Sequence, residues 1–182
     1  MRFRETGRGY LIDLDINLFN FLVNLPPDDL MSNAYFRPSL AKLLGLRCGP
    51  KCQIRKNIYY DGHRRLVIGK NVFLNRHAYI DSSGGITIGD NVRFGPEVML
   101  ITGDHHMGDS EMRAGEMFKK PIVIEDGCWI GTRAVITAGV TIGRGSIVSA
   151  GAVVLRSMPA NFLIAGNPAR PVSQLVREHN DA

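Results

Sequence analysis

Two adjacent histidines, His105 and His106, open a polar, irregular stretch, Asp104 to Lys120 (DHHMGDSEMRAGEMFKK). Imidazole titrates near about 6.5, so at neutral pH it can take the proton of a hydroxyl as that hydroxyl attacks a thioester. Both histidines are therefore candidate bases. Glu116, in the same stretch, is a carboxylate able to orient an imidazole or to meet a polar acceptor. Arg156 and Arg170 are permanent cations of the kind that hold phosphates. Metal chemistry has less to work with. The five histidines, His63, His77, His105, His106 and His179, show no zinc-ligand spacing, and Cys48, Cys52 and Cys128 contain no CxxC. No metal is expected.

The elements that must hold these groups are set by a six-residue repeat. Ile124, Ile130, Ile136, Ile142, Val148 and Val154 fall six apart, and four whole hexads back the step lands on Leu100, Phe94 and Ile88. Two residues, Ile86-Thr87, are inserted before Ile80, Leu74 and Ile68 resume it. A weaker coil at Cys48, Ile54 and Tyr60 keeps the phase after a second insertion at Leu66-Val67. Positions four further on are small or aliphatic: Val72, Ala78, Val92, Val98, Cys128, Ala134, Val140, Ser146 and Ala152. Neither a 3.6-residue nor a 2-residue period produces this step. One inward aliphatic per short strand and three hexads per turn describe a parallel β-helix. Cys48 and Cys52 occupy inward positions, so core packing is the reading for both. Glycine follows the apolar residue at Gly69, Gly89, Gly95, Gly131 and Gly143, where the corner between strands is tight.

The flanks have other periods. Leu11 to Val23 and Pro38 to Leu46 carry apolar residues at helical spacing (Leu14, Leu18, Leu22; Leu40, Leu43, Leu44). They are expected to cap the first coil, since solenoid ends must be covered. A membrane-surface helix is the alternative, disfavoured because its polar face carries Asp and Asn where Lys and Arg are usual. Pro159 to Pro171 reads as loop and Val172 to Glu178 as a short helix. The stretch Tyr10 to Leu25 contains Asp13, Asp15, Asn17 and Asn20, which argues against a bilayer span or a signal-peptide core. A net charge of +5 without a dense Lys/Arg run points away from nucleic acid, and an odd cysteine count fits a reducing cytoplasm.

Thr102-Gly103-Asp104-His105, Gly115-Glu116-Met117, Pro121-Ile122-Val123-Ile124, Trp129-Ile130-Gly131, Gly139-Val140-Thr141-Ile142-Gly143 and Ala165-Gly166-Asn167-Pro168-Ala169-Arg170 together resemble the galactoside, maltose and nodulation-sugar O-acetyltransferases. The resemblance runs from about Val67 to Val172. It implies a left-handed β-helix, acetyl-CoA as acyl donor, a saccharide acceptor and a homotrimer with sites between subunits. It singles out His105 as the base, with His106 on the acceptor side or solvated, and gives Asn75, Asp81 and Glu116 acceptor roles. For acetyl-CoA it implies Trp129, Gly131, Thr132, Ala138, Ala150, Gly151, Arg156 and Arg170. Leu155 and Ser173 depart from the family's threonine and arginine, which makes Arg144 or Arg177 the expected replacement.

The expected architecture is an all-β solenoid of about five coils: a helical cap over 1–47, the β-helix over 48–159 with an acceptor loop at 104–120, and a C-terminal loop and helix over 160–182. The expected activity is acetyl-CoA-dependent O-acetylation of a saccharide, as in exopolysaccharide, capsule or O-antigen biosynthesis. The alternatives are N-acetylation of an amino sugar or sugar nucleotide, and a β-helix kept only as a binding module.

Overall fold

A computed structural model describes residues 7–175. The hexads wind into a parallel β-solenoid with three flat faces. The first face stacks Arg47–Cys48, Leu66–Ile68, Ile86–Ile88, Ile122–Ile124 and Thr141–Ile142. The second stacks Gln53–Ile54, Phe73–Leu74, Arg93–Phe94, Trp129–Ile130, Ile147–Val148 and Phe162–Gly166. The third stacks Tyr59–Asp61, Tyr79–Asp81, Met99–Ile101, Val135–Ile136 and Val153–Val154. Five coils are complete, and a partial sixth follows through a bridge from Met158 to Ile142 and the strand Phe162–Gly166.

Every residue of the hexad series from Ile68 to Val154 is buried, as is the whole small series from Val72 to Ala152. Cys48 pairs with Ile68 and Ile68 with Ile88, the 20-residue spacing of the lengthened coils. Ile124 pairs with Ile142, the 18 residues of an uninterrupted coil. At Gly131 an added Cβ would lie 2.5 Å from the Ala150 nitrogen of the next coil, so a side chain there would force the coils apart.

The cap comprises α1 (Gly7–Asn24), a π-turn at Ser32–Phe36 and α2 (Arg37–Leu43). The open end of a solenoid exposes unpaired strand groups, and the cap supplies them with side chains in place of a further coil. Asn20 donates Nδ2 to Tyr60 O and accepts from Tyr60 N, both at 2.8 Å. Asn24, one turn on, bridges Ile58 O and Asn57 N in the same way. Arg37 is wholly buried: its guanidinium donates to Ile54 O at 2.8 Å, Val23 O at 2.9 Å and Pro26 O at 2.7 Å, and to the side chain of Asn33. His63 stacks on Phe19, with ring centres 3.8 Å apart.

Three expectations are corrected. The cap buries Phe19, Val23 and Ala41, whereas Leu14, Leu18 and Leu43 are exposed; the asparagines that terminate the strand edge decide which side of α1 faces inward. Pro159 to Pro171 is not all loop, because Phe162–Gly166 adds to the second face. Val172 to Gln174 is strand: Ala169–Gln174 folds back antiparallel on Phe162–Gly166 and covers its open edge. The remainder of the expected helix, with Arg177 and Glu178, lies outside the described residues.

Candidate active site

The polar stretch at 104–120 is a two-stranded antiparallel hairpin, Gly103–Met107 with Ala114–Lys119. The sequence suggested a loop because neither strand buries an apolar face, and burial is what makes alternation visible. It leaves the solenoid at the corner between the third and first faces. Lys120 N donates to Thr102 O at 3.0 Å across its base. Asp81 fastens that base: Oδ2 accepts from Thr102 N at 3.0 Å and Gly103 N at 2.9 Å, and Oδ1 from Ser83 N at 2.9 Å. Burial pushes the Asp81 carboxyl up, but bonds from Ser83, Gly103 and Thr102 outweigh it and hold the group below the usual aspartate range. Asp81 is 7% exposed and engaged by backbone, which makes it a clamp on the hairpin base.

Register assigns the hairpin side chains to two faces. His105 pairs with Met117 and Gly103 with Lys119, so His105, Met117 and Lys119 share one face. Asp104 pairs with Phe118, and the His106 ring lies 4.6 Å from Phe118, which puts these three on the other. The register shifts between His105 and Met107, leaving Gly115-Glu116 opposite His106. Glu116, adjacent to Met117, therefore falls on the face away from His105.

His105 Nδ1 lies 2.8 Å from Gly115 O. A carbonyl only accepts, so Nδ1 carries the proton and Nε2 is left as the basic nitrogen. The imidazole is thus oriented by a backbone carbonyl that no residue type in the sequence announces.

The positions expected to hold acetyl-CoA divide between two edges of the third face. At its edge with the second face, Trp129, Gly131, Thr132 and Ala150 line one groove of about 300 Å³ together with Ile147, Val148 and Ser149. Gly151 N donates to Thr132 O at 2.8 Å in the same column of corners, and Asn75 occupies that corner two coils before Thr132, its Oδ1 accepting from Arg76 N. At the other edge, where the hairpin emerges, stand Ala138 and Arg156; next to Ala138, Gly139 abuts the aliphatic stem of Lys120. Arg170 is exposed on the C-terminal hairpin and donates Nη1 to Ala169 O. Arg144 lies at the remaining corner, its Nη2 3.5 Å from Asp126, away from the groove. Six residues separate neighbouring corners along one coil, a span of at most about 20 Å. A single chain thus carries the basic nitrogen on one edge and the groove on another. Among the described residues no three His, Cys, Asp or Glu side chains converge as metal ligands, and no helix is long and apolar enough to cross a membrane.

Residues 121–156 match the bacterial transferase hexapeptide model (six repeats), and residues 65–95 match the hexapeptide repeat of succinyl-transferase. The chain is 35% identical over 145 residues to galactoside O-acetyltransferase of Escherichia coli K12, covering 80% of this chain and 70% of that one. It is 39% identical over 122 residues to nodulation protein L of Rhizobium meliloti, 67% of each chain. A hexapeptide-repeat acetyltransferase of Vibrio cholerae, solved with acetyl-CoA, superposes with a TM-score of 0.84 at 29% identity, over 95% of this chain and 92% of that one.

Proposed function

The chain belongs to the hexapeptide-repeat acetyltransferases, and we propose that it moves the acetyl group of acetyl-CoA to a saccharide hydroxyl with His105 as general base. Its solenoid is the left-handed β-helix of that family, and the chain is an acyltransferase. The observation that carries the catalytic reading is the Gly115 carbonyl at 2.8 Å from His105 Nδ1, which frees Nε2 as the base.

The groove suits an acyl-CoA: its wall is small or apolar at Gly131, Thr132, Val148 and Ala150, and Trp129 can cover a thin flexible arm. Bound there, acetyl-CoA supplies a thioester carbonyl. His105 Nε2 takes the acceptor hydroxyl proton as the oxygen bonds to that carbonyl carbon, and a backbone N–H near Thr132 meets the oxyanion. As the carbon–sulfur bond breaks, His105 returns the proton to the departing sulfur. Arg170 serves a CoA phosphate.

We place this site between subunits of a homotrimer. The third face presents an outward apolar row of Tyr59, Tyr79, Met99, Val135 and Val153 between the two edges that carry the half-sites; Tyr59 and Tyr79 stack with centres 5.4 Å apart. Three copies packed by this face bring the hairpin edge of one beside the groove edge of the next. The cytoplasm is the proposed setting, in keeping with free thiols at Cys48, Cys52 and Cys128.

The test is CoA release across free sugars, sugar nucleotides and polysaccharide repeats, with hydroxylamine treatment of the product. Hydroxylamine-labile acetyl is the expected product, and stable acetyl on amine acceptors alone would replace O-transfer by N-transfer.

A further inference from the structure

The hairpin face that carries His105 also carries Lys119. Their strands place Lys119 diagonally across from His105, a spacing of about 7–8 Å between backbones. Lys119 is paired with Gly103, which has no side chain; the carboxylate nearest this face is Asp81, whose Oδ2 would lie 3.5 Å from a Cβ at Gly103 and already accepts from Thr102 N and Gly103 N. The carboxylates of the paired strands, Asp104 and Glu116, fall on the opposite face. Lys119 Cβ lies 3.2 Å from where a Cβ on Gly84 would be, so this face looks toward the preceding coils. There Arg65 donates Nη1 to Ser83 O at 2.6 Å, one residue from Gly84, continuing the cationic line along the corner. Arg64 beside it is neutralised by Asp15 at 3.0 Å. Neither Arg65 nor Lys119 takes part in any ion pair among the described residues.

We infer that the acceptor is an anionic saccharide, with Lys119 holding its carboxylate or phosphate while His105 faces the hydroxyl to be acetylated. The inference rests on the acetyl-transfer reading and narrows its substrate class. A cation beside the base recognises charge at short range, and an exposed pair of this kind weakens with salt. Lys120 does not share the role, since its ammonium lies 5.0 Å from the centre of the Phe118 ring on the other face.

The experiment compares methyl glucoside, methyl glucuronide and a hexose phosphate as acceptors for the wild-type protein, Lys119→Gln and Lys119→Arg, each checked for an unchanged melting temperature. One or both anionic acceptors should exceed the neutral one in kcat/KM, and whichever is better identifies carboxylate or phosphate as the group bound. Lys119→Gln should lower kcat/KM for the anionic acceptor about ten- to a hundredfold, spare the neutral acceptor and the acetyl-CoA KM, and be partly rescued by Lys119→Arg. Equal use of the neutral glucoside, an equal loss on all three acceptors, or a loss confined to the acetyl-CoA KM would overturn the inference while leaving acetyl transfer intact. No transfer to any of the three by a protein that acetyl-CoA stabilises against heat would overturn the saccharide reading itself.

Discussion

The two edges of the third face are built on opposite terms. At the edge with the second face, each corner lies over a copy of itself: Gly131 and Thr132 sit beneath Ala150 and Gly151, with coil-to-coil backbone bonds such as Gly151 N to Thr132 O at 2.8 Å. Repetition leaves a shallow channel suited to a long ligand lying along the axis, but it offers no unique reactive group. At the edge with the first face, the corners at 62–65 and 82–85 are lengthened, and the excursion at 102–121 interrupts the stacking of copies. Side chains take over there, through Asp81 on the hairpin base, Thr102 Oγ1 on Asp81 O and Gly84 N, and Arg65 on Ser83 O. On the proposed function, repetition serves binding, and the break in repetition positions the single base that chemistry requires.

If this division holds, exchanging residues 104–119 for a two-residue turn should abolish transfer while moving the melting temperature by no more than about 5 °C, because the hairpin buries little of the core. A collapse in thermal stability would show that the hairpin belongs to the solenoid's folding unit. Conversely, Ile136→Ala, inside the regular coils and fully buried, should cost about 2–5 kcal/mol in chemical denaturation and leave the turnover of the folded protein within about threefold. Asp81 stands at the joint, so Asp81→Ala should do both, costing about 1–3 kcal/mol and lowering kcat as the hairpin base loosens. Its folded pKa is depressed, so its contribution is complete above the roughly 3.9 of an unfolded aspartate. It is lost as pH falls through the lower native value. Asp81→Asn should therefore flatten the acid limb of the stability curve below about pH 4, and an unchanged limb would deny the clamp. The smallest effect is expected at Arg170→Ala: about a tenfold rise in acetyl-CoA KM with an unaltered melting temperature and acceptor KM.

What could be read from the chain follows the same division. Ile68 to Val154 were legible because burial allows only an aliphatic at each inward step, and Gly131 because the next coil passes within contact of its Cα. The hairpin strands were not, since Asp104 to Met107 and Ala114 to Met117 bury no side chain and so leave no periodic mark. Leucine spacing marks Leu14 and Leu18 as an apolar row on α1, but the hydrogen-bonding need of an open strand edge, met by Asn20 and Asn24, turns Phe19 and Val23 inward. Arg37 gave no signal at all, because a buried arginine is defined by carbonyls at Val23, Pro26 and Ile54 that share no local pattern. The tautomer of His105 depends on a carbonyl at a bulge, which residue types do not encode.

The most direct test of the central claim is the turnover of His105→Ala with acetyl-CoA affinity measured on the same preparation, beside His106→Ala as the control. Loss of the base should lower kcat by about 10² to 10⁴ with cofactor affinity nearly unchanged, and His106→Ala should do much less. Unaltered turnover in His105→Ala, or a larger loss in His106→Ala, would contradict the assignment of the base.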